Sequence, residues 1–196
     1  MNINVKNPAP GLPPRRMFDV DDIRRMIDAG VLAEDEKIEL VEGEIVVMAA
    51  KGYAHERIKN ALVKALIKAA PDGIEIGIET TIEFSRDTLR EPDIAVIRKS
   101  NIRRSKANFV SIEPGGCLLL IEISKTRIRY DKGKKAALYA RLGVLEYWVV
   151  DANERVPLVH RDPTECGWAS IVKHGASESL TTPALPDFKF KLDEID

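Results

Sequence analysis

The sequence has few of the residues that build zinc sites or disulfide frameworks. It contains two cysteines, Cys117 and Cys166, and three scattered histidines, His55, His160 and His174. No paired Cys or His spacing of the zinc-finger kind is present, so a structural zinc site is not expected. Two cysteines form at most one bridge, and without a secretory signal we expect two reduced thiols in a cytoplasmic protein.

Long apolar segments are also missing. No stretch approaches the roughly 20 apolar residues that cross a bilayer, so no membrane association is expected. The proline-rich start, residues 1–16, lacks the continuous apolar core of a secretory signal and is expected to be a flexible arm. Residues 17–196 are expected to form one domain, because domains commonly hold about 100 to 200 residues.

An excess of one charge is absent as well. Thirty Lys and Arg residues face 31 Asp and Glu residues, which gives a formal net charge of -1. A protein that binds nucleic acid indiscriminately is usually far more basic, so any such affinity must come from local clusters.

The spacing of apolar residues predicts an α/β order of elements. A continuous apolar strand, a helix and a second apolar strand imply a right-handed parallel crossover and a mixed sheet. The predicted elements are, in chain order, a helix at 20–29 capped by Asp19, a hairpin of 37–41 and 44–49, a helix at 53–70, one alternating strand at 74–84, a strand at 94–97, a loop at 98–116, a buried strand at 117–124, a helix at 130–142, a strand at 147–150 and short C-terminal strands.

Two carboxylates stand where burial makes them costly. Glu122 interrupts the most hydrophobic strand, and Asp93 lies at the start of the preceding strand. An ionised carboxylate removed from water needs a compensating cation. The two acids could share one Mg²⁺ or Mn²⁺ ion, since magnesium typically takes one or two protein carboxylates. The alternative is that each acid simply pairs with a lysine or arginine.

The next helix carries a candidate cation. Asp131 and Lys135 lie on its core-facing stripe, so Lys135 could reach toward Glu122 and stabilise charge or hold an attacking water. An internal Asp131–Lys135 pair of small energy is the alternative.

The start of this helix is strongly basic, although a helix N-terminus prefers negative neighbours. An external anion such as a phosphate backbone would resolve this conflict, and a solvated basic surface is the alternative. Further contacts could come from Arg103, Arg104 and Lys106 in the long loop. The candidate nucleic-acid-binding residues are Lys125, Arg127, Arg129, Lys132 and Lys134.

His55 and Glu39 are candidate supporting residues. His55 heads the apolar stripe of the second helix, where it is either a core histidine or part of the site. Glu39 ranks first among the acids of the hairpin because it lies within a strand, although a solvated side chain would explain it equally well.

The order of these motifs resembles the Uma-type restriction-endonuclease family of the PD-(D/E)xK nuclease superfamily, over residues 18–151. The motifs that carry this resemblance are specific only as a set. They are ELVEGE at 39–44, His55, Pro92-Asp93, IEIS at 121–124, Tyr130-Asp131 with Lys135, and LYARLGVLEYWVVD at 138–151.

The resemblance implies a restriction-endonuclease-like core of helix, three-stranded meander, helix and strand, to which this chain adds an N-terminal helix and hairpin and a C-terminal β extension. It implies that Asp93 and Glu122 bind the catalytic metal and that His55 stands where the first core helix often has an acid. Ser124 occupies the position of the superfamily's lysine, as in members of the Uma-type family. Lys135 is therefore the first candidate for the missing cation and Lys125 the second.

We therefore expect a metal-dependent endonuclease that hydrolyses phosphodiester bonds, with DNA as its partner and a homodimer as its assembly. A nuclease-fold protein that has lost cleavage and binds nucleic acid or a protein partner is the alternative, and Ser124 favours it. A scaffold dimer without nucleic acid is a third possibility.

Overall fold

A mixed β-sheet between helices organises the fold, which is seen in a computed structural model that describes residues 5–6, 13–48, 50–104 and 109–195. The helices are α1 (Val20–Asp28), α2 (Tyr53–Ala69) and α3 (residues 128–141). The strands are β1 (Val5–Lys6), β2 (Arg15–Arg16), β3 (Ile38–Val41), β4 (Glu44–Val47), β5 (Ile74–Ile78), β6 (Ile82–Ser85), β7 (Thr88–Arg90), β8 (Ile94–Arg98), β9 (Ile102–Arg104), β10 (Val110–Ile112), β11 (Cys117–Ser124), β12 (Glu146–Asp151), β13 (Val156–Thr164), β14 (Gly167–Lys173), β15 (Leu180–Thr182) and β16 (Leu185–Phe190).

The central sheet has the strand order β14-β13-β12-β11-β8-β5. β5, β8 and β11 form an antiparallel meander, and β11 pairs in parallel with β12. Because α2 precedes the meander and α3 connects β11 to β12, the predicted core order of helix, meander, helix and strand is confirmed. All eight residues of β11 are buried, as the continuous apolar run predicts.

The two faces of the central sheet are covered differently. Ile58, Leu62 and Leu66 of α2 pack on one face together with the β15–β16 hairpin, whose Phe188 contacts Trp148. Tyr139 of α3 packs on the opposite face with residues of a second sheet. The functional residues at the ends of β8 and β11 therefore lie between α2 and α3.

The second sheet has the strand order β4-β3-β7-β6-β10-β9, and α1 packs against it through Val20 and Ile23. Asp19 is the N-cap of α1, as predicted, and it also forms a capping box with Asp22. The hairpin of β3 and β4 turns at Glu42 and Gly43. Both turn residues have positive φ, 48° and 85°, as a tight hairpin with right-handed twist requires.

The predicted single strand at 74–84 is wrong. Its first half is β5 in the central sheet, and its second half is β6 in the second sheet. The chain changes sheets after Glu79, which adopts a positive φ of 47°. The alternation of apolar and polar residues continues through both halves except at Thr80, and each half has one apolar face, so the pattern by itself does not reveal the switch.

The predicted loop at 98–116 is also wrong in part. It contains a 3₁₀ turn at Lys99–Asn101 and the strands β9 and β10, which extend the second sheet. These strands have only three residues each, too short for a periodic signal. Lys106 lies outside the described residues, and Arg103 pairs with Glu113.

The chain ends were predicted in outline. β13 and β14 extend the central sheet beyond β12, in agreement with the expected C-terminal β extension. Most of the predicted N-terminal arm lies outside the described residues, but within it β1 pairs with β2. Ala49, at the end of the predicted hairpin, also lies outside the described residues. Among the described residues, no helix is long and apolar enough to span a membrane. Cys117 is buried, Cys166 is exposed, and both are free thiols.

Candidate active site

A cavity of about 730 Å³ opens where α2, the β3–β4 hairpin and the start of α3 meet the central sheet. Residues of both sequence-predicted groups line it, the acids and the cations. The predicted acids are Glu39, Asp93, Glu122 and Asp131, and the predicted cations are Lys125, Arg127, Lys134 and Lys135. His55 and Ser124 also line the cavity, as does Lys51, which the sequence did not single out. The fold thus brings most of the predicted site residues to one place.

Asp93 is buried and fully engaged by donors. Its Oδ2 accepts the Ile123 backbone N–H at 2.7 Å and lies 2.9 Å from His55 Nε2, while its Oδ1 lies 2.8 Å from Lys51 Nζ. Burial by itself raises the pKa of Asp93, but the hydrogen bond from His55 and the charge of Lys51 outweigh it and hold the pKa at about 2. Asp93 is therefore an ionised carboxylate at neutral pH.

Glu122 has a different environment. Its Oε1 lies 2.6 Å from Lys135 Nζ and accepts the Tyr139 hydroxyl hydrogen at 2.9 Å. Burial raises the pKa of Glu122 to about 7, because desolvation and the nearby acids Asp93 and Glu39 outweigh the charge of Lys135. The pKa values of the two carboxylates are therefore shifted in opposite directions, down for Asp93 and up for Glu122.

Lys135 reaches Glu122 from an irregular stretch of helix. The residues of α3 form an α-helical turn at Ile128–Tyr130, a π-helical segment at Asp131–Lys135 and an α-helix at Ala136–Arg141. Both Asp131 and Lys135 are buried, and their charged atoms lie 3.9 Å apart. The predicted stripe is present, but π segments are rare, and helical spacing alone does not predict one.

Glu39 is buried in β3 rather than solvated. Its Oε1 accepts the backbone N–H of Glu91 at 3.1 Å, and its Oε2 lies 3.2 Å from Nη1 of the fully buried Arg90. Arg90 also faces the ring of Tyr139, which contacts Glu122. Glu39 thus adds a third carboxylate to the electrostatics around Glu122.

The structure separates Ser124 from the basic residues that follow it. Ser124 is buried, and its hydroxyl has no hydrogen-bond partner among the described residues. Lys125, Arg127 and Lys134 are exposed at the cavity, whereas the exposed Arg129 and Lys132 are not among its lining residues. The predicted basic cluster therefore divides into cleft-facing residues, which line the cavity, and outer residues, which do not.

Residues 20–193 match the Uma2 family, whose description is "Putative restriction endonuclease". The chain belongs to this family. A solved structure described as a "putative nuclease belonging to DUF820" from Anabaena variabilis has the same fold, with a TM-score of 0.71, 19% sequence identity and coverage of 91% of this chain and 97% of that chain. No curated protein matches the sequence. The Uma2 description supports a nuclease as the general class of activity.

Sequence reasoning missed several residues of this Uma2-family site. Lys51 contacts both Asp93 and Glu79, and Glu79 in turn pairs with the buried Lys59 of α2. Tyr139 was visible only as a member of the family segment at 138–151. Lys59 was a detectable signal, since it lies one helical turn after His55, and a lysine buried on that side of the helix needs an acid as its partner.

The carboxylates can offer oxygen ligands to a divalent cation. Asp93 and Glu122 line the same cavity, and Glu122 Oε2 accepts no hydrogen bond from the described residues. No group of three or more His, Cys, Asp or Glu side chains within the described ranges has metal-site spacing. A dedicated protein cage is therefore not present there, but an ion such as Mg²⁺ that uses two carboxylates and several waters fits these donors.

Proposed function

We propose that this chain is a metal-dependent endonuclease that hydrolyses phosphodiester bonds in DNA. The observation that carries the proposal is the convergence of Asp93, Glu122 and Lys135 in one cavity of a nuclease-family fold. Two buried acids and a buried lysine are costly to fold, and proteins keep such clusters mainly at functional sites.

Asp93 and Glu122 are the residues that would hold Mg²⁺ or Mn²⁺. When bound, the ion supplies positive charge that polarises the phosphodiester and makes a water acidic enough to attack at neutral pH. His55 and the Ile123 amide fix Asp93, and Tyr139 fixes Glu122, so both carboxylates are oriented before substrate arrives.

Lys135 takes over the role of the motif lysine, because Ser124 occupies the position of that lysine in this chain. Its ammonium already lies 2.6 Å from Glu122 Oε1, so it can donate to the attacking water or to a phosphate oxygen beside the carboxylates. Such a preorganised donor stabilises charge that develops in the transition state. Asp131, 3.9 Å from the ammonium, keeps it directed into the cavity.

The cleft-facing cations Lys125, Arg127 and Lys134 would hold the DNA backbone next to the carboxylates. Simultaneous cleavage of both strands of a duplex would use two such sites, so the proposal includes a homodimer.

A cleavage assay on single-stranded, duplex and branched DNA with Mg²⁺ or Mn²⁺ tests the proposal. We expect Asp93→Asn and Glu122→Gln to abolish cleavage, and Lys135→Met to slow it by about 10² or more, since it removes a charged transition-state donor. Lys132→Met, on the exposed side of the same helix, removes an equal charge and is expected to cleave like the parent.

The outcomes separate the candidate functions. A parent that binds DNA without cutting it in either metal would favour a nucleic-acid-binding module, which Ser124 in the lysine position suggests. A Lys135→Met variant as fast as the parent would overturn the role given to Lys135.

A further inference from the structure

Lys51 occupies an unusual position for a residue outside the predicted motifs. It follows the β3–β4 hairpin and precedes α2, and its Nζ lies 2.8 Å from Asp93 Oδ1 and 2.9 Å from Glu79 Oε1. One ammonium thus bridges a carboxylate of the proposed metal site and a carboxylate outside it.

The two oxygens of Asp93 are not equivalent. Oδ2 is held by the Ile123 amide and by His55, two groups fixed within β11 and α2. Oδ1 is held by Lys51, whose ammonium is carried on a flexible four-carbon side chain. Oδ1 is therefore the oxygen that a divalent cation can reach, and only if the Lys51 ammonium leaves it.

Glu79 is built to receive that ammonium. It lies where the chain leaves the central sheet, with a positive φ of 47°, and it is anchored by an ion pair with Lys59 of α2. Lys59 is itself held by Glu56 at 2.7 Å, so Glu79 has a fixed place whether or not Lys51 contacts Asp93. Lys51 can release Asp93 and keep an ionic partner.

We propose that Lys51 is a built-in competitor for the metal, which covers Asp93 Oδ1 until a divalent cation displaces it onto Glu79. This inference rests on the proposed function for its metal site, but it concerns binding of the ion and not cleavage. Lys51 neutralises Asp93 in the metal-free protein, and its partner Glu79 lowers the cost of moving it aside. Glu79 is thus a positioning residue that acts through Lys51.

Titration of the full chain with Mn²⁺ alone, by calorimetry or by electron paramagnetic resonance of the free ion, tests the inference. We expect Lys51→Met to bind Mn²⁺ about tenfold more tightly, because a unit charge within about 4 Å of the ligand oxygen is removed. We expect Glu79→Gln to bind it about threefold to tenfold more weakly, since Lys51 then has Asp93 as its main partner. Lys64→Met, an exposed lysine of α2, is the matched charge control and should leave the affinity within about twofold.

The double variant separates competition from a simple change of net charge. If Glu79 acts through Lys51, Glu79→Gln changes the affinity by less than about twofold when Lys51→Met is already present. Equal effects of Glu79→Gln in both backgrounds, or weaker binding by Lys51→Met, would overturn the proposal. Circular dichroism melts verify that each variant is folded.

Failure of the proposed competition by Lys51 and failure of the proposed nuclease function give different experimental results. A parent that binds Mn²⁺ but cuts no DNA removes the nuclease proposal and leaves the competition measurable. No Mn²⁺ binding by the parent, with tight binding by Lys51→Met, would support the competitor role in its strongest form. No binding by either protein overturns both proposals.

Discussion

At the scale of single residues, Arg90 shows how the acids near the site are balanced. Its side chain is fully buried, its Nη1 lies 3.2 Å from Glu39 Oε2, and its guanidinium faces the Tyr139 ring. Burial alone would lower the pKa of Arg90, but Tyr139, Glu39 and Glu122 raise it above the usual value, so the charge is retained. Arg90 therefore offsets the buried negative charge of Glu39 and Glu122.

Replacement of Arg90 by methionine should strongly destabilise the fold. The Glu39 carboxylate would stay buried without its cation, and loss of one partner of a buried ion pair costs about 3–5 kcal/mol. We expect Arg90→Met/Glu39→Gln to recover a large part of that loss, as measured by urea unfolding. Arg141→Met, which breaks an exposed pair with Glu42, should cost less than about 1 kcal/mol. A double variant no more stable than Arg90→Met alone would contradict this account.

At the scale of elements, the β3–β4 hairpin holds Glu39 and Glu42 at the cavity, and its turn is fixed by sterics. Gly43 has a φ of 85°, and a Cβ atom there would meet Met17 Cβ at 2.8 Å and the Phe18 carbonyl oxygen at 3.2 Å. The N-terminal segment before α1 therefore packs directly on the turn. This contact couples the added N-terminal elements to the wall of the site.

Gly43→Ala should lower the free energy of unfolding by roughly 1–3 kcal/mol, because it combines a disfavoured backbone conformation with a steric clash. Gly133→Ala in the π segment is the matched control, since a Cβ there meets nothing within 4 Å. The control should be neutral or up to about 1 kcal/mol more stable, through reduced entropy of the unfolded chain. Thermal melts of both variants check the difference, and equal melting temperatures would refute it.

At the scale of the whole molecule, a nearly neutral chain presents three exposed cations at the cavity of the candidate site. The formal net charge is -1, yet Lys125, Arg127 and Lys134 line the same cavity as the proposed metal ligands. Contacts with phosphates release counterions, so their number appears in the salt dependence of binding. The position of each cation, and not the total charge, should then decide DNA affinity.

Two double variants with equal loss of charge test this expectation in metal-free buffer. Lys125→Ala/Lys134→Ala removes two cleft cations and should reduce the slope of log K against log salt by about 2, as expected for two lost phosphate contacts. Arg129→Ala/Lys132→Ala removes two cations on the outer side and should leave the slope unchanged. Fluorescence anisotropy with labelled duplex measures both, and equal slopes for the two variants would disprove a cleft-specific contact.

The sequence by itself determined the elements whose signal is local. Asp19 caps α1 within its own first turn, the residue types of Glu42 and Gly43 suit a tight turn, and the apolar run of β11 predicts burial without reference to any partner. The order of core elements follows from these patterns, because strand, helix and strand allow essentially one parallel crossover. Asp93, Glu122 and Lys135 were recognisable since each is a charge at a position that predicts burial.

Only the tertiary structure decided which groups surround Asp93. Lys51 and Glu79 are 28 positions apart, and His55 and Asp93 are 38 apart, so no periodicity connects them. The split of residues 74–84 between two sheets depends on which partner strand each half meets. A local pattern specifies which face of an element is buried, whereas the identity of the group that meets it depends on the packing of distant elements.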